Sequence, residues 1–193
     1  MKKNKVVPIL DLTETIKDKH FIVVGDIHGC LYEFEKLLSR MDFDIKEDIC
    51  ICCGDLIDRG PSSYEVFKMF HEHSNFFSVR GNHDDRFHRY LLGNKVKIKD
   101  GLDKTIESFN KAAYSDLNVA SKALDFFSNL PYIIKIGDRY VVHAGFNPNK
   151  PPEEQYPSDC LYTRYIGGKD SFDDIDGKIW YSLLPIDYPT TFS

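Results

Sequence analysis

Short apolar runs alternate with longer amphipathic segments over the first half of the chain. Continuous apolar runs at residues 21–24, 49–53 and 76–79 are typical of buried β-strands. Between them, apolar residues recur at helical spacing over residues 31–41 and 62–73. The order strand, helix, strand, helix, strand predicts parallel pairing and an α/β fold.

Helical periodicity continues in the middle of the chain, and a hairpin follows it. The pattern predicts helices over residues 85–92, 105–114 and 119–130. Two further strands, residues 132–136 and 140–143, flank Gly137-Asp138, a pair typical of a hairpin turn. The polar residues 1–20 are interpreted as a loose lead-in and residues 146–157 as a loop.

Composition favours one soluble globular domain over residues 1–193. Hydrophobic residues make up 42% of the 193 positions and charged residues 28%. The 25 Lys and Arg against 30 Asp and Glu leave a net charge of -5, which gives no overall attraction to nucleic acid or an anionic membrane. No apolar run approaches the ~20 residues that span a bilayer. Because no secretory signal is seen either, we expect a cytoplasmic protein.

The five cysteines favour core packing over metal binding or disulfides. They are Cys30, Cys50, Cys52, Cys53 and Cys160. An odd count without a secretory signal predicts reduced thiols. A zinc site would need repeated Cys or His pairs at short spacing, which this sequence lacks, so the cysteines are interpreted as small apolar core residues.

Four predicted strands are each followed by a polar cluster. These clusters are G-D-I-H-G at residues 25–29, G-D-L-I-D-R-G at 54–60, R-G-N-H-D at 80–84 and H-A-G at 143–145. Ligands of open α/β sheets gather beyond the carboxyl ends of the strands, so we expect all four clusters at one sheet edge. Asp and Asn also serve as helix caps and turn residues, but three such motifs in order favour a shared site.

The chemistry of these clusters indicates a divalent metal site. Carboxylate, imidazole and carboxamide ligands together suit Mn, Fe(II) or Zn better than Ca or Mg alone. A carboxylate can bridge two cations ~3.5–4 Å apart, and such pairs hydrolyse phosphate esters. Asp55, which follows the middle strand, is the candidate bridge.

The four motifs, between residues 21 and 166, resemble those of calcineurin-like metallophosphoesterases of the phosphoprotein-phosphatase type. Within this family, the sequence resembles the small bacterial and phage enzymes, which include serine/threonine protein phosphatases and symmetrical dinucleoside tetraphosphatases. The resemblance implies a four-layer α/β/β/α sandwich with a mixed β-sandwich core. It also implies two divalent metal ions, most simply Mn with Fe or Zn as alternatives, and hydrolysis of phosphate monoesters by a metal-activated water.

The resemblance also assigns roles to residues of this sequence. One metal would be held by Asp26, His28 and Asp55, and the other by Asp55, Asn82 and His143. His83 would protonate the leaving oxygen and Asp58 would orient it. The substrate phosphate would be bound by Arg59, Arg164 and Asn82. Arg80 is a weaker third clamp candidate, since its place beside Gly81 also suits a structural ion pair.

The sequence departs from the family near its end. The family supplies one more metal ligand, a histidine in a late G-H-T motif, whereas this sequence has no histidine after His143. Residues 179–193 do not resemble the family and are interpreted as an atypical tail. The sequence therefore predicts a chain truncated at the C-terminal strands, with three protein ligands on its second metal.

Three functions remain open at this point. The first hypothesis is a serine/threonine protein phosphatase acting on a phosphorylated protein. The alternatives are a bis(5'-nucleosyl)-tetraphosphatase acting on a dinucleotide, and an inactive protein that only binds metal or phosphate. No nucleic-acid polymer or membrane partner is expected.

Overall fold

The structure, a computed structural model, describes residues 7–163 and the backbone of residues 165–166 and 178–179. It divides into two compact units. One unit is Asp18–Leu130, and the other combines Met1–Lys17 with Pro131–Ser193. The first contains three of the four strand-end motifs, and the second contains the fourth.

In the first unit strands and helices alternate before three successive helices, whereas the described part of the second unit contains mainly strands. The strands are β1 (Ile9–Asp11), β2 (Phe21–Val24), β3 (Ile49–Cys52), β4 (Phe76–Ser78), β5 (Ile133–Ile136), β6 (Arg139–Val142), β7 (Tyr165–Ile166) and β8 (Lys178–Ile179). The helices are α1 (Leu31–Arg40), α2 (Ser63–Glu72), α3 (Asn82–Leu91), α4 (Leu102–Ala112), α5 (Val119–Asn129) and α6 (Pro157–Tyr162), with a 3-10 turn at Pro152–Glu154.

The sheet of the first unit confirms the predicted parallel pairing. Its order is β2-β3-β4, and Val24 pairs with Cys52, which pairs with Ser78. The carboxyl ends of all three strands are therefore level, and their polar motifs start from the same sheet edge. The prediction that β2 is a buried strand is correct for one face only, because Ile22 and Val24 are buried whereas Phe21 and Val23 are 38% and 41% exposed.

Helices of the first unit pack an aromatic core against this sheet. Phe67 contacts the rings of Phe109, Phe126 and Phe127 at centroid distances of 5.2, 5.3 and 5.9 Å. Cys50 and Cys52 belong to the same core, as expected of small apolar residues. Burial raises the pKa of the Cys50 thiol to about 12, so that thiol stays protonated near neutral pH.

The second unit contains a small mixed sheet of order β1-β5-β6. The predicted hairpin is confirmed as an antiparallel β5-β6 pair, and Val7, Ile133, Phe146 and Cys160 form a core beside it. The lead-in prediction missed β1, which pairs in parallel with β5. The strand before His143 belongs to this sheet, so the expectation that all four motifs share one sheet is wrong for the H-A-G motif.

No helix in the described part of the chain is both long and apolar enough to cross a bilayer. Helix α3 begins three residues earlier than predicted, at Asn82 rather than at residue 85. Its first turn is polar and therefore carries no hydrophobic periodicity. Asn82 and His83 consequently lie on a helical turn that points its N–H groups toward the β3 loop.

Candidate active site

The loops that follow β2 and β3 hold an unusual backbone. His28, Asp55, Asp58 and Arg59 have φ values of 50°, 54°, 72° and 62°, in the left-handed region. A residue with a Cβ costs of the order of 1–3 kcal/mol there, and such strain collects at functional sites. All four of these residues belong to the sequence motifs that are assigned to the site.

His28 is oriented by its own loop so that one ring nitrogen is left for a ligand. Its Nδ1 lies 2.9 Å from the carbonyl oxygen of Ile57, which can only accept, so Nδ1 carries the proton. In the neutral ring, Nε2 is then the nitrogen that holds the lone pair. That atom is buried and makes no hydrogen bond within the described residues, which is the state of an imidazole poised for a metal.

Two predicted carboxylates meet at this nitrogen. His28 Nε2 lies 3.7 Å from Asp26 Oδ2 and 3.6 Å from Asp55 Oδ2. Two ligand atoms each ~2.1 Å from one ion lie ~3.0–3.4 Å apart, so a small inward movement would complete a ligand set. The structure thus brings together all three residues predicted for the first metal.

Asp84 is a residue of the site to which the motif analysis assigned no role. Its buried carboxylate accepts the backbone N–H groups of Asp55, Leu56 and Gly81 at 2.8, 3.1 and 2.9 Å. Burial, together with the charge of Asp55, raises the pKa of Asp84 to about 8. A cation held by Asp55 would relieve this repulsion, while the three hydrogen bonds fix the β3 loop against the start of α3.

Gly81 permits the close approach of these two segments. A Cβ at this position would lie 2.1 Å from Asp55 Oδ1 and 2.3 Å from the Asp55 nitrogen. We expect Gly81→Ala to lower the free energy of unfolding by about 3 kcal/mol, because the backbone must move. Urea denaturation measures this change.

Gly25→Ala is the matched control for that substitution. A Cβ at Gly25 would meet no atom within 4 Å, so its effect should stay within about 0.5 kcal/mol. Equal urea midpoints for Gly81→Ala and the unmodified chain would contradict the packing described for this glycine.

His83 and Asp58 form a buried dyad. His83 Nδ1 lies 2.7 Å from Asp58 Oδ2, and Thr105 Oγ1 donates to Asp58 Oδ1 at 2.7 Å. Burial alone would raise the pKa of Asp58, but hydrogen bonds from His83, Thr105 and Arg86 outweigh it and hold that pKa below its usual value. Asp58 therefore stays ionised and holds the imidazole with Nε2 directed away from it.

Arg59 and Arg80 have different surroundings. Arg59 is exposed, and its Nη2 lies 3.5 Å from His83 Nε2, beside the dyad. Arg80 is buried and donates to the carbonyl oxygens of Phe127 and Ser128 at the end of α5. These contacts favour the structural interpretation of Arg80 over a role as a phosphate clamp.

For three predicted site residues the structure gives a position at most, and their predicted roles stay untested. Asn82 is the first residue of α3, and its neighbour His83 donates its backbone N–H to Asp55 Oδ1 at 2.9 Å. His143 directly follows β6, is half-buried and belongs to the second unit. Arg164 lies outside the described residues. Metal binding by Asn82 and His143 and phosphate binding by Arg164 stay predictions.

The residues present fit a divalent metal ion. His28, Asp55 and His83 each offer a ligand atom, and these atoms lie within 4.8 Å of one another in a buried cluster. Imidazole and carboxylate ligands suit Mn, Fe(II) and Zn. The orphaned Nε2 of His28 is the clearest sign of fit, since a buried polar atom normally has a partner.

Curated relatives of this chain are named as bis(5'-nucleosyl)-tetraphosphatases. The chain is 31% identical to the asymmetrical enzyme PrpE of Bacillus velezensis over 137 residues, which is 64% of this chain and 55% of the relative. It is 28% identical to PrpE of Bacillus subtilis over 85% of this chain and 70% of the relative. It is 39% identical to the symmetrical enzyme of Wigglesworthia glossinidia brevipalpis over 67% of this chain and 45% of the relative.

Solved structures agree with the fold. A crystal structure of a provisionally assigned diadenosine tetraphosphatase matches with a TM-score of 0.72 and 27% identity, over 96% of this chain and 78% of that one. A yeast serine/threonine phosphatase matches with a TM-score of 0.53 and 23% identity, over 86% of this chain and 50% of that one, which bears on the fold alone. The chain spans 55% of the length of the first curated relatives it matches.

The family profile described as calcineurin-like phosphoesterase matches residues 19–187. This range includes all four strand-end motifs, three of which contribute to one buried cluster in the first unit. The predicted α/β class agrees with both the family and the solved structures. The chain therefore belongs to the calcineurin-like phosphoesterase family, whose members are metal-dependent hydrolases.

Proposed function

We propose that this protein hydrolyses the phosphate chain of bis(5'-nucleosyl) tetraphosphates in a metal-dependent reaction. The buried cluster of His28, Asp55 and His83 carries the hydrolytic part of the proposal. The substrate rests on the relatives, which are named for this activity at up to 39% identity. These names favour the dinucleotide alternative over the protein-phosphatase hypothesis drawn from sequence.

The first metal would be held by Asp26, His28 and Asp55, and a second by Asp55, Asn82 and His143. Bound divalent cations supply Lewis-acid chemistry at the phosphate and acidify water, and Mn fits the donor set. Asp55 directly follows Gly54 in the loop after β3, and its backbone N–H donates to the Asp84 carboxylate. This contact holds the Asp55 backbone in place and does not use the side-chain oxygens of Asp55.

His83 is best assigned to proton transfer rather than to metal binding. Its Nε2 lies 3.5 Å from the Arg59 guanidinium. Because this guanidinium is positively charged, it would repel a metal ion bound at Nε2. A leaving oxygen seated between Arg59 and Nε2 would instead receive both a charged contact and a proton. Asp58 orients the ring through Nδ1 for this transfer.

Arg59 is assigned to the substrate phosphate. Its planar fork can bind two non-bridging oxygens at once, and its exposure leaves it accessible to a ligand. A water attacks phosphorus opposite the leaving oxygen, and Arg59 stabilises the charge on the equatorial oxygens. Arg164 is proposed as a second clamp by family resemblance alone.

The decisive experiment offers the Mn-supplemented chain three substrates: diadenosine tetraphosphate, a phosphoserine peptide and p-nitrophenyl phosphate. We expect kcat/KM to be largest for diadenosine tetraphosphate. Chromatography of the products identifies the bond that is cleaved, because two ADP arise from symmetrical cleavage and ATP with AMP from asymmetrical cleavage.

Each alternative has its own result in this assay. Preference for the phosphopeptide would support the protein-phosphatase hypothesis. No turnover of any substrate at any Mn concentration would support an inactive binding protein and contradict the proposal.

A further inference from the structure

The Arg86 side chain lies beside the His83–Asp58 dyad but has no part in the roles described above. It is on α3, three residues after His83, and only 11% of its side chain is exposed. Its Nη2 lies 2.6 Å from Asp58 Oδ2 and 2.9 Å from His83 Nδ1. The guanidinium therefore contacts the same carboxylate oxygen that holds the imidazole.

These contacts complete the hydrogen bonding of the Asp58 carboxylate. Oδ1 accepts from Thr105, and Oδ2 is shared by His83 and Arg86. The fully buried carboxylate is thus held at both oxygens, so rotation about its side chain would break strong hydrogen bonds. Without Arg86, Asp58 Oδ2 would be held only by the His83 imidazole, which is the ring that Asp58 must orient.

Arg86 also connects the dyad to the start of α4. Its Nη1 lies 3.1 Å from Asp100 Oδ2, just before that helix. From the same segment, Lys104 donates to the Arg59 carbonyl oxygen at 3.0 Å, and Gly101 lies against the Arg59 backbone. The Arg86 guanidinium therefore links the dyad to residues 100–104, the segment that packs on the loop containing Arg59.

We propose that Arg86 is a positioning residue for proton transfer by His83. The inference rests on the proposed function only in taking His83 as the proton donor. Arg86 touches neither substrate nor metal in this account, and it acts by holding Asp58 and, through Asp58, the imidazole. Helical spacing alone brings Arg86 next to His83, but only the tertiary structure supplies Asp58 and Asp100.

The kinetic test compares Arg86→Gln with the unmodified chain on phenyl phosphate and p-nitrophenyl phosphate. We expect kcat for phenyl phosphate to fall about 10–100-fold, as for other supporting contacts, with KM little changed. The loss should be several-fold smaller for p-nitrophenyl phosphate, whose leaving group needs less protonation. Arg86→Lys should recover part of the activity, since it keeps the charge without the fork.

A second readout does not depend on turnover. NMR of the chain with diamagnetic Zn²⁺ would follow the ring Nδ1–H protons of His83 and His28. Arg86→Gln should speed solvent exchange of the His83 proton, because its acceptor is less firmly held. The His28 proton, bonded to the Ile57 carbonyl, is an internal reference that should not change.

Two further variants distinguish an effect of Arg86 on the position of His83 from an effect on the stability of the protein. Arg89→Gln removes an exposed arginine of the same helix that pairs with Asp85, and it should alter neither readout. Asp100→Asn weakens the outer anchor of Arg86 without touching Asp58, and it should act in the same direction with a smaller effect. If Arg86→Gln does not fold, Asp100→Asn decides the question.

The outcomes are distinct. Equal losses on both esters with unchanged exchange of the His83 proton would overturn the proposal, as would two unchanged readouts in Asp100→Asn when Arg86→Gln cannot be made. An unmodified chain that hydrolyses neither these esters nor diadenosine tetraphosphate would contradict the proposed function instead, and the NMR comparison would still show whether Arg86 orders the ring.

Discussion

Replacing His83 with Asn is expected to lower kcat for phenyl phosphate by about 10²–10⁴-fold, the usual contribution of a positioned general acid. His83 is 4% exposed, and its imidazole is held through Nδ1 by Asp58 and directs Nε2 toward Arg59. Asn cannot transfer a proton from that position. The loss should shrink for p-nitrophenyl phosphate, so a series of substituted phenyl phosphates should give a steeper dependence of rate on leaving-group basicity.

The same substitution should cost less with diadenosine tetraphosphate. Its leaving group is a nucleoside phosphate, which is a weaker base than phenolate and departs with less help from a proton. His71→Asn, a change on helix α2 outside the motifs, is the control and should leave all rates near those of the unmodified chain. Equal losses on every ester would show that His83 does not act as the acid.

Replacing Asp55 with Asn is expected to abolish tight metal binding and, with it, turnover. Asp55 Oδ2 lies 3.6 Å from His28 Nε2 and 3.9 Å from His83 Nε2, so its charge is central to the cluster. Loss of a supporting contact typically weakens metal affinity ~10–100-fold, and loss of a direct ligand should weaken it further. Titration with Mn²⁺ followed by calorimetry measures the affinity without any assay of activity.

The amide should leave the local fold in place. Its oxygen can still accept the His83 backbone N–H that Asp55 Oδ1 accepts at 2.9 Å. Asp85→Asn is the matched control, because that carboxylate lies on α3 and pairs with Arg80 and Arg89 outside the cluster. Unchanged Mn²⁺ affinity in Asp55→Asn would refute the assignment of Asp55 as a metal ligand.

Most of the first unit could be predicted from local pattern. The apolar runs of β2, β3 and β4 and the helical spacing of α1 and α2 require only neighbouring residues to be read, and all five elements were found. Strand β1 was missed because its partner is distant in sequence. The three-residue strand β1 exists because Ile9 pairs with Ile133, more than a hundred residues away.

The candidate site divides in the same way. Asp26, His28, Asp55, Asp58 and His83 are recognisable because each stands in a glycine-containing motif directly after a strand. Thr105 carries no such mark, although it donates to Asp58 across 47 positions. Asp84 stands within a motif, yet its three backbone contacts depend on how the β3 loop meets α3.

The identity of the chemical groups, and the strand that each one follows, can be predicted from the amino-acid sequence, because strand ends and motif spacing are local properties of the chain. The protonation, direction and backbone conformation of these groups depend on the tertiary structure. It set the left-handed backbone at His28 and Asp55, left His28 Nε2 without a hydrogen bond among the described residues, and buried Asp58 among three donors. Such states arise from packing between segments far apart in sequence, where burial and hydrogen bonds fix protonation and direction and no periodicity records them.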